Sequence, residues 1–285
     1  MSNTLVDLRG KLPKGLASIY QEVQAVASTL QLEVLVVGAM ARDLVLVHGF
    51  NARLERGTRD IDFAVQVRNW TAFENLAEGL LAKGFRKSEK MAHRFYLEID
   101  GDTTWEIDVM PFGELADDVG NIQWPPDESV EMSVLGFDEA FDHAFTVQIG
   151  DDSSSFMIQV ASPAAMSFLK LISWLEREPL IREKDAQDIR YLMISYCKIP
   201  FIFDRMYDEG DMELQDWDLD RASARILGRD AAKLIKKETF DFLQEALFLK
   251  PEKLDLLLRE MTFNMQEVDY DGSEFKVFIE ALSAN

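Results

Sequence analysis

Cysteine is almost absent from this chain. Cys197 stands alone among 285 residues, which excludes an intrachain disulfide and a cysteine–histidine metal cluster. Histidine is nearly as scarce. His48, His93 and His143 show no metal-ligand spacing, and each reads as a structural or surface residue. No apolar run approaches the roughly 20 residues that span a bilayer. The opening Met1-Ser2-Asn3-Thr4-Leu5-Val6-Asp7 has no basic stretch ahead of an apolar core, so no secretory signal is expected, and a cytoplasmic setting without membrane contact is. P-loop and nucleophile-elbow patterns are missing. Basic residues are in deficit: 30 Lys and Arg against 51 Asp and Glu leave a formal net charge of −21. Such a chain repels phosphate backbones at long range, which leaves nucleic acid to a local basic patch or to neutralising metal ions. The same charge suits a basic protein partner.

What remains is a globular composition, 47% hydrophobic, long enough for one large or two ordinary domains. Residues 16–30 have helical periodicity, and Glu33 to Val37 is a short β-branched run that reads as a buried strand. Gly38-Ala39 ends it, and Met40 to Val47 resumes helical spacing. After a polar turn, a strand is predicted over residues 61–67. An amphipathic helix follows over 70–82, ended by Lys83-Gly84. Arg94 to Ile99 and Thr104 to Val109 flank Asp100-Gly101-Asp102, a hairpin signal. Residues 113–142 are acidic and irregular and read as an excursion over the site. Two strand-like runs lie between 147 and 160. Ser162-Pro163 then marks a helix start, and from there the spacing is helical to the end. The expectation is an α/β (α+β) core with a small mixed sheet over 1–160. An all-helical domain would follow over 161–285, with the active site between the two.

The stretch with the most chemical content is Arg59-Asp60-Ile61-Asp62-Phe63-Ala64-Val65. Side chains alternate along a strand, so Asp60 and Asp62 project together while Ile61, Phe63 and Val65 face the other way. Two carboxylates held side by side repel each other unless a cation lies between them. Asp108 shares a strand face with Glu106 and Met110, and a neighbouring position would set it beside the pair. Three carboxylates so arranged can hold two Mg²⁺ (or Mn²⁺) ions about 3.5–4 Å apart. Gly38 follows a strand and precedes a helix, where a phosphate can approach the backbone and its N–H groups. Arg42, in the first turn after it, could face phosphate or pair with Asp43 or Asp60. Trp70, Trp105 and Trp174 read as core.

Val36-Val37-Gly38-Ala39-Met40-Ala41-Arg42, Arg56-Gly57-Thr58-Arg59-Asp60-Ile61-Asp62 and Ile107-Asp108-Val109 together resemble the DNA polymerase beta-like nucleotidyltransferase superfamily. Further on come Val160-Ala161-Ser162-Pro163, Lys170-Leu171, Arg177 and Lys184-Asp185-Ala186-Gln187-Asp188-Ile189. These resemble the helical half of the abortive-infection, AbiEii-type nucleotidyltransferase toxins, and Arg56, Thr58, Asp60 and Asp62 follow one another as in that family. The resemblance runs from about residue 34 to 192. It implies Asp60, Asp62 and Asp108 as catalytic metal ligands. It implies Gly38, Ala39, Arg42, Arg56, Thr58, Lys170 and Asp185 around the nucleotide. The implied activity is Mg²⁺-dependent transfer of a nucleoside monophosphate from an NTP to an acceptor hydroxyl. In that family the acceptor is often tRNA, and the enzyme acts as a toxin beside a separate antitoxin protein. Two departures stand out. Gly38-Ala39 replaces the common Gly-Ser or Gly-Gly, and Lys184-Asp185 stands where arginine-aspartate is frequent. Open beside the tRNA reading are a protein or small-molecule acceptor and an idle nucleotide-binding protein of the same fold. On residues alone, Lys170 is open to being a surface lysine. Asp188 is open to being exposed or paired with Arg182 or Lys184.

Overall fold

The computed structural model describes residues 4–55, 57–99, 101, 103–126, 128–262 and 271–284. The chain divides into two compact units, Met1–Gly49 with Arg53–Ser162, and Pro163–Asn285 with Phe50–Ala52.

In the first unit the elements run β1 (Leu5–Asp7), α1 (Lys14–Thr29), β2 (Glu33–Val37), α2 (Gly38–Arg42), a π-helical continuation Asp43–Gly49, β3 (Asp60–Gln66), α3 (Trp70–Ala82) and β4 (Arg86–Lys87). They continue with β5 (Arg94–Ile99), β6 (Thr103–Phe112), β7 (Asn121–Gln123), β8 (Glu131–Ser133), α4 (Phe137–Asp142), β9 (Phe145–Gly150) and β10 (Ser155–Val160). Eight strands form one mixed sheet in the order β1-β9-β10-β2-β3-β6-β5-β4, and β7 and β8 make a separate hairpin. The sheet is larger than the sequence predicts. Its extra strands, Leu5–Asp7 and Arg86–Lys87, are too short to carry a period of two.

Central position explains the composition of β2. Val34, Leu35, Val36 and Val37 are all buried, as expected for a strand covered on both faces. Helix α1 buries Leu16, Ile19, Tyr20, Val23, Val26 and Ala27, a 3.6-residue stripe. Helix α3 starts at Asn69, whose side chain accepts from the Ala72 N–H at 3.0 Å. It ends before Gly84, whose φ of +89° needs a residue without Cβ. The predicted hairpin is β5–β6, in which Arg94 pairs with Asp108 and Ile99 with Thr103. Asp100 and Asp102 of its turn lie outside the described residues. The predicted irregular excursion contains the β7–β8 hairpin and α4. It is anchored by Trp124, which is buried and packs at 5.0 Å on Trp70 and at 5.3 Å on Phe73.

In the second unit the helices are α5 (Pro163–Glu176), α6 (Pro179–Ser195), α7 (Pro200–Asp208), α8 (Asp211–Leu214), α9 (Leu219–Leu234), α10 (Lys237–Leu243), α11 (Pro251–Met261) and α12 (Ser273–Leu282). Pro163 opens α5 as its first residue, the position where a missing N–H costs nothing. Asp218 caps α9 by accepting from the Arg221 N–H at 2.9 Å. Buried ion pairs tie this unit together. Arg205 grips Asp230 at 2.8 and 2.9 Å, and the Tyr196 hydroxyl donates to the same carboxylate at 2.9 Å. Arg182 stacks 4.7 Å from the centre of the Trp174 ring while both donate to Glu260. Trp174 is core as predicted, whereas Trp70 and Trp105 are only half-buried.

Helices α9 and α12 touch where Gly228 sits. A Cβ there would lie 2.5 Å from the Phe278 carbonyl oxygen and 2.9 Å from the Ala281 Cβ. Gly228→Ala is therefore expected to lower stability by about 1–3 kcal/mol through overpacking. Urea unfolding should show a lower midpoint with an unchanged slope.

Candidate active site

Strands β3, β6 and β5 lie side by side. Strands β3 and β6 run parallel, with Asp60 opposite Glu106 and Asp62 opposite Asp108. Strands β6 and β5 run antiparallel, with Asp108 opposite Arg94. Adjacent strands are about 4.8 Å apart, and paired residues point to the same face. One face of three strands thus gathers Asp60, Asp62, Glu106, Asp108 and Arg94. The opposite face carries Ile61, Phe63, Ile107, Val109 and Phe95, all buried.

Arg94 organises this face. Its Nε donates to Asp108 Oδ1 and an Nη to Asp108 Oδ2, both at 2.7 Å, and its other Nη reaches Glu106 Oε2 at 2.6 Å. These hydrogen bonds to Asp108 raise the guanidinium pKa further above its ordinary value. His93, next along, has its Nε2 4.0 Å from Asp108 Oδ2. Burial holds its pKa below the usual histidine value, against the pull of the Asp108 charge. The sequence gives no metal or motif reason to notice Arg94 or His93. The available signal was register, since an arginine that opens the hairpin falls opposite the third aspartate.

Gly38 occupies the turn between β2 and α2 with φ +72°. A Cβ built on it would lie 2.0 Å from Asp62 Oδ2. Strand β2 pairs antiparallel with β3, with Val37 opposite Asp62, so the turn backbone and the carboxylate occupy adjacent space. Ala39 follows, half-buried. Arg42 turns inward: its guanidinium is buried on the equally buried Asp43, with Nε to Oδ1 at 2.8 Å. Tyr20, edge-on to Phe63 at 5.8 Å, is buried in the same region. Burial, then the charges of Asp43 and Asp62, raise its hydroxyl pKa. Thr58 accepts from the Asp60 N–H through Oγ1 at 3.2 Å and so shapes the entry to β3. Arg56 lies outside the described residues.

In the second unit, Lys170 lies between Asp185 Oδ1 and Asp188 Oδ2, each at 2.8 Å. Arg177 at 2.8 Å and Ser173 at 3.2 Å hold the other oxygen of Asp185. Asp185 is fully buried, while the Lys170 side chain keeps 15% exposure. Burial alone would lower the Lys170 pKa, but the Asp188 and Asp185 charges outweigh it and the pKa is raised. Lys170 is thus a paired side chain, and Asp188 pairs with it.

For a divalent cation, Asp60 and Asp62 have the right chemistry, because Mg²⁺ binds one or two carboxylates together with substrate phosphates. Asp60 is exposed and Asp62 half-buried. Asp108 has both oxygens on Arg94. Among the described residues no three Asp, Glu, His or Cys side chains are grouped as a metal site. The pair fits a metal; the three-carboxylate cluster is not assembled here.

A glycine turn against one member of an aspartate pair, with a third aspartate in register on the next strand, is the core pattern of a nucleotidyltransferase. The chain belongs to the family described as Nucleotidyl transferase AbiEii toxin, Type IV TA system, which matches residues 23–275, and it is accordingly a nucleotidyltransferase. No curated protein matches it in sequence. Similar solved structures include the antibiotic-resistance factor ANT(2'')-Ia in solution. It shares 15% identity, with 72% of this chain and 100% of that chain covered and a TM-score of 0.36. The lincosamide antibiotic adenylyltransferase LnuA with lincomycin bound shares 16% identity over 62% of this chain and 94% of that one, TM-score 0.34. The Thermotoga maritima CCA-adding enzyme complexed with tRNA shares 13% over 96% and 80%, TM-score 0.28.

Two substitutions probe this geometry. Gly38→Ala should lose about 1–2 kcal/mol to the left-handed backbone alone and should displace Asp62, which a denaturation midpoint and a crystal structure of the variant would report. Arg94→Leu leaves the Asp108 charge half-buried without its partner. The expected loss is about 1–3 kcal/mol, below the roughly 3–5 of a fully buried pair. Adding Asp108→Asn should restore part of that loss in a double-mutant cycle.

Proposed function

We propose that this enzyme transfers a nucleoside monophosphate from an NTP to an acceptor hydroxyl with a divalent metal, Mg²⁺ or Mn²⁺, at Asp60 and Asp62. The observation that carries the reading is the shared face of β3 and β6, where Asp62 and Asp108 are register partners and Gly38 lies against Asp62. When bound, the metal supplies charge neutralisation for the triphosphate. Asp60 and Asp62 would hold it. Asp108 accepts the proton of the attacking hydroxyl, and Arg94 keeps that carboxylate aligned until then. The acceptor oxygen bonds to the α-phosphorus as the bond to pyrophosphate breaks, and pyrophosphate leaves. The backbone beside Gly38 and Ala39 offers N–H groups to phosphate. Residues 1–160 carry the catalytic groups. Lys170, from the helical residues 161–285, is assigned to the nucleotide on the family's pattern, and Asp185, buried against it, acts by holding Lys170 in place.

Family membership favours tRNA as acceptor, in a toxin–antitoxin or phage-defence setting with a separate antitoxin protein. The net charge of −21 favours a second reading, in which the acceptor is a protein side chain or a small molecule. No helix among the described residues is long and apolar enough to cross a membrane.

The test is incubation with Mg²⁺ and each α-labelled NTP, with total tRNA and soluble cell protein offered together. Label in RNA supports the first reading and label in protein the second. Asp60→Asn/Asp62→Asn should abolish both. The metal-free variant should be at least as stable as the parent, because it loses a repulsion between like charges. Undiminished labelling by the variant, or its destabilisation without metal, would count against the role given to the pair.

A further inference from the structure

The helical unit exposes an aromatic ridge that nothing in the proposed reaction uses. Phe203 and Tyr207, one turn apart on α7, stack at 5.2 Å, and Tyr207 meets Trp217 at 6.3 Å. Their exposures are 39%, 47% and 65%. Leu214 and Leu219 on either side of Trp217 are exposed as well. The ridge borders a cavity of about 340 Å³ lined by Cys197, Lys198, Pro200, Phe203, Asp204 and Leu219. Solvent-facing apolar residues scattered singly are ordinary, but contiguous ones around a hollow mark an interaction surface. The tryptophan is held outward by the backbone: Asp216 and Trp217 both have positive φ, 53° and 65°. This links the end of α8, through Trp217 N–H to the Met212 carbonyl at 2.8 Å, to the cap of α9 at Asp218.

Charge identifies the occupant. Asp204, Asp208, Glu213, Asp216, Asp218 and Asp220 are all exposed in this segment. Arg221 offsets part of this charge, 3.8 Å from Asp216 and 3.5 Å from Asp218, while the neighbouring arginines are committed to other carboxylates. Arg205 is on Asp230 and Glu209, and Arg229 is on Glu209 and Asp211. Lys198 is the basic side chain in the cavity lining. A nucleic acid would bring phosphates against this rim. A second copy of the chain, docked through the same face, would set the two acidic rims against each other. A protein segment with apolar side chains flanked by lysines or arginines satisfies both ridge and rim.

We propose that the Phe203–Tyr207–Trp217 face of the helical unit docks a basic, amphipathic segment of another protein. Trp217 and Phe203 are the apolar anchors, of the residue types that dominate interface energies. The exposed aspartates speed and orient encounter, so binding weakens as salt rises.

The probe is a fluorescent helical peptide with one leucine face and one lysine face, titrated against the full chain. A second peptide has the same composition with leucine and lysine mixed around the helix. The ordered peptide should bind more tightly than the mixed one. Its binding should fall by about tenfold or more in Trp217→Ser and in Phe203→Ser, and should fall with added salt. Leu81→Ser, which removes an exposed leucine of the first unit, should leave it unchanged. Both anchor side chains are exposed, so thermal midpoints should match the parent and show that each variant is folded. The proposal is overturned if the ordered peptide does not bind, if the mixed peptide binds equally well, or if the folded anchor variants bind like the parent. It is also overturned if sedimentation shows the parent self-associating through this face and Trp217→Ser monomeric. None of these outcomes bears on nucleotide transfer, which the labelling experiment tests separately.

Discussion

Four carboxylates and one guanidinium share a single face of three neighbouring strands, and their mutual repulsion is the constraint around which the first unit is built. Asp60, Asp62, Glu106 and Asp108 cannot be covered by apolar packing without a large desolvation cost. The opposite face of the same strands, Ile61, Phe63, Ile107 and Val109, supplies the core instead. Arg94 compensates the Asp108–Glu106 side with hydrogen bonds of 2.6–2.7 Å. The Asp60–Asp62 side is the one bordered by the Gly38 turn. Two neighbouring carboxylates and a glycine turn occur together there, an arrangement that suits an anionic substrate with its counter-ion.

The second unit solves a different problem with the same groups. Its helices bury Asp185, Asp188, Asp211 and Asp230, and each carboxylate meets a lysine or arginine. Removing one partner from such a cluster leaves a charge stranded in a poor solvent for it, so the clusters fix how the helices register more than they add to stability. Lys170 shows this most clearly, since two aspartates set its charge state against the pull of burial.

Strong periodicity and turn chemistry made much of this legible beforehand. Alternation placed Asp60 and Asp62 on one face, the valines of 34–37 announced a buried strand, and Ser162-Pro163 announced α5. The missed features have physical reasons. The strands Leu5–Asp7, Arg86–Lys87, Asn121–Gln123 and Glu131–Ser133 are too short to show a period, and their pairing is decided by distant partners. Arg94 carries no motif, and its meaning comes only from the β5–β6 register. Arg42 reads equally well as a phosphate ligand or an ion-pair partner, and only the burial of its guanidinium on Asp43 distinguishes the two. Helix α6 hides its character because buried aspartates interrupt its apolar stripe.

The eight-stranded sheet ends in three residues on one side, Leu5–Asp7, and in two on the other, Arg86–Lys87. A sheet edge is a template for any extended chain that drifts past, and its danger grows with its length and flatness. Here the free rim is short at one margin and carries an arginine and a lysine at the other. An extended chain would find at either margin only a two- or three-residue strand to pair with.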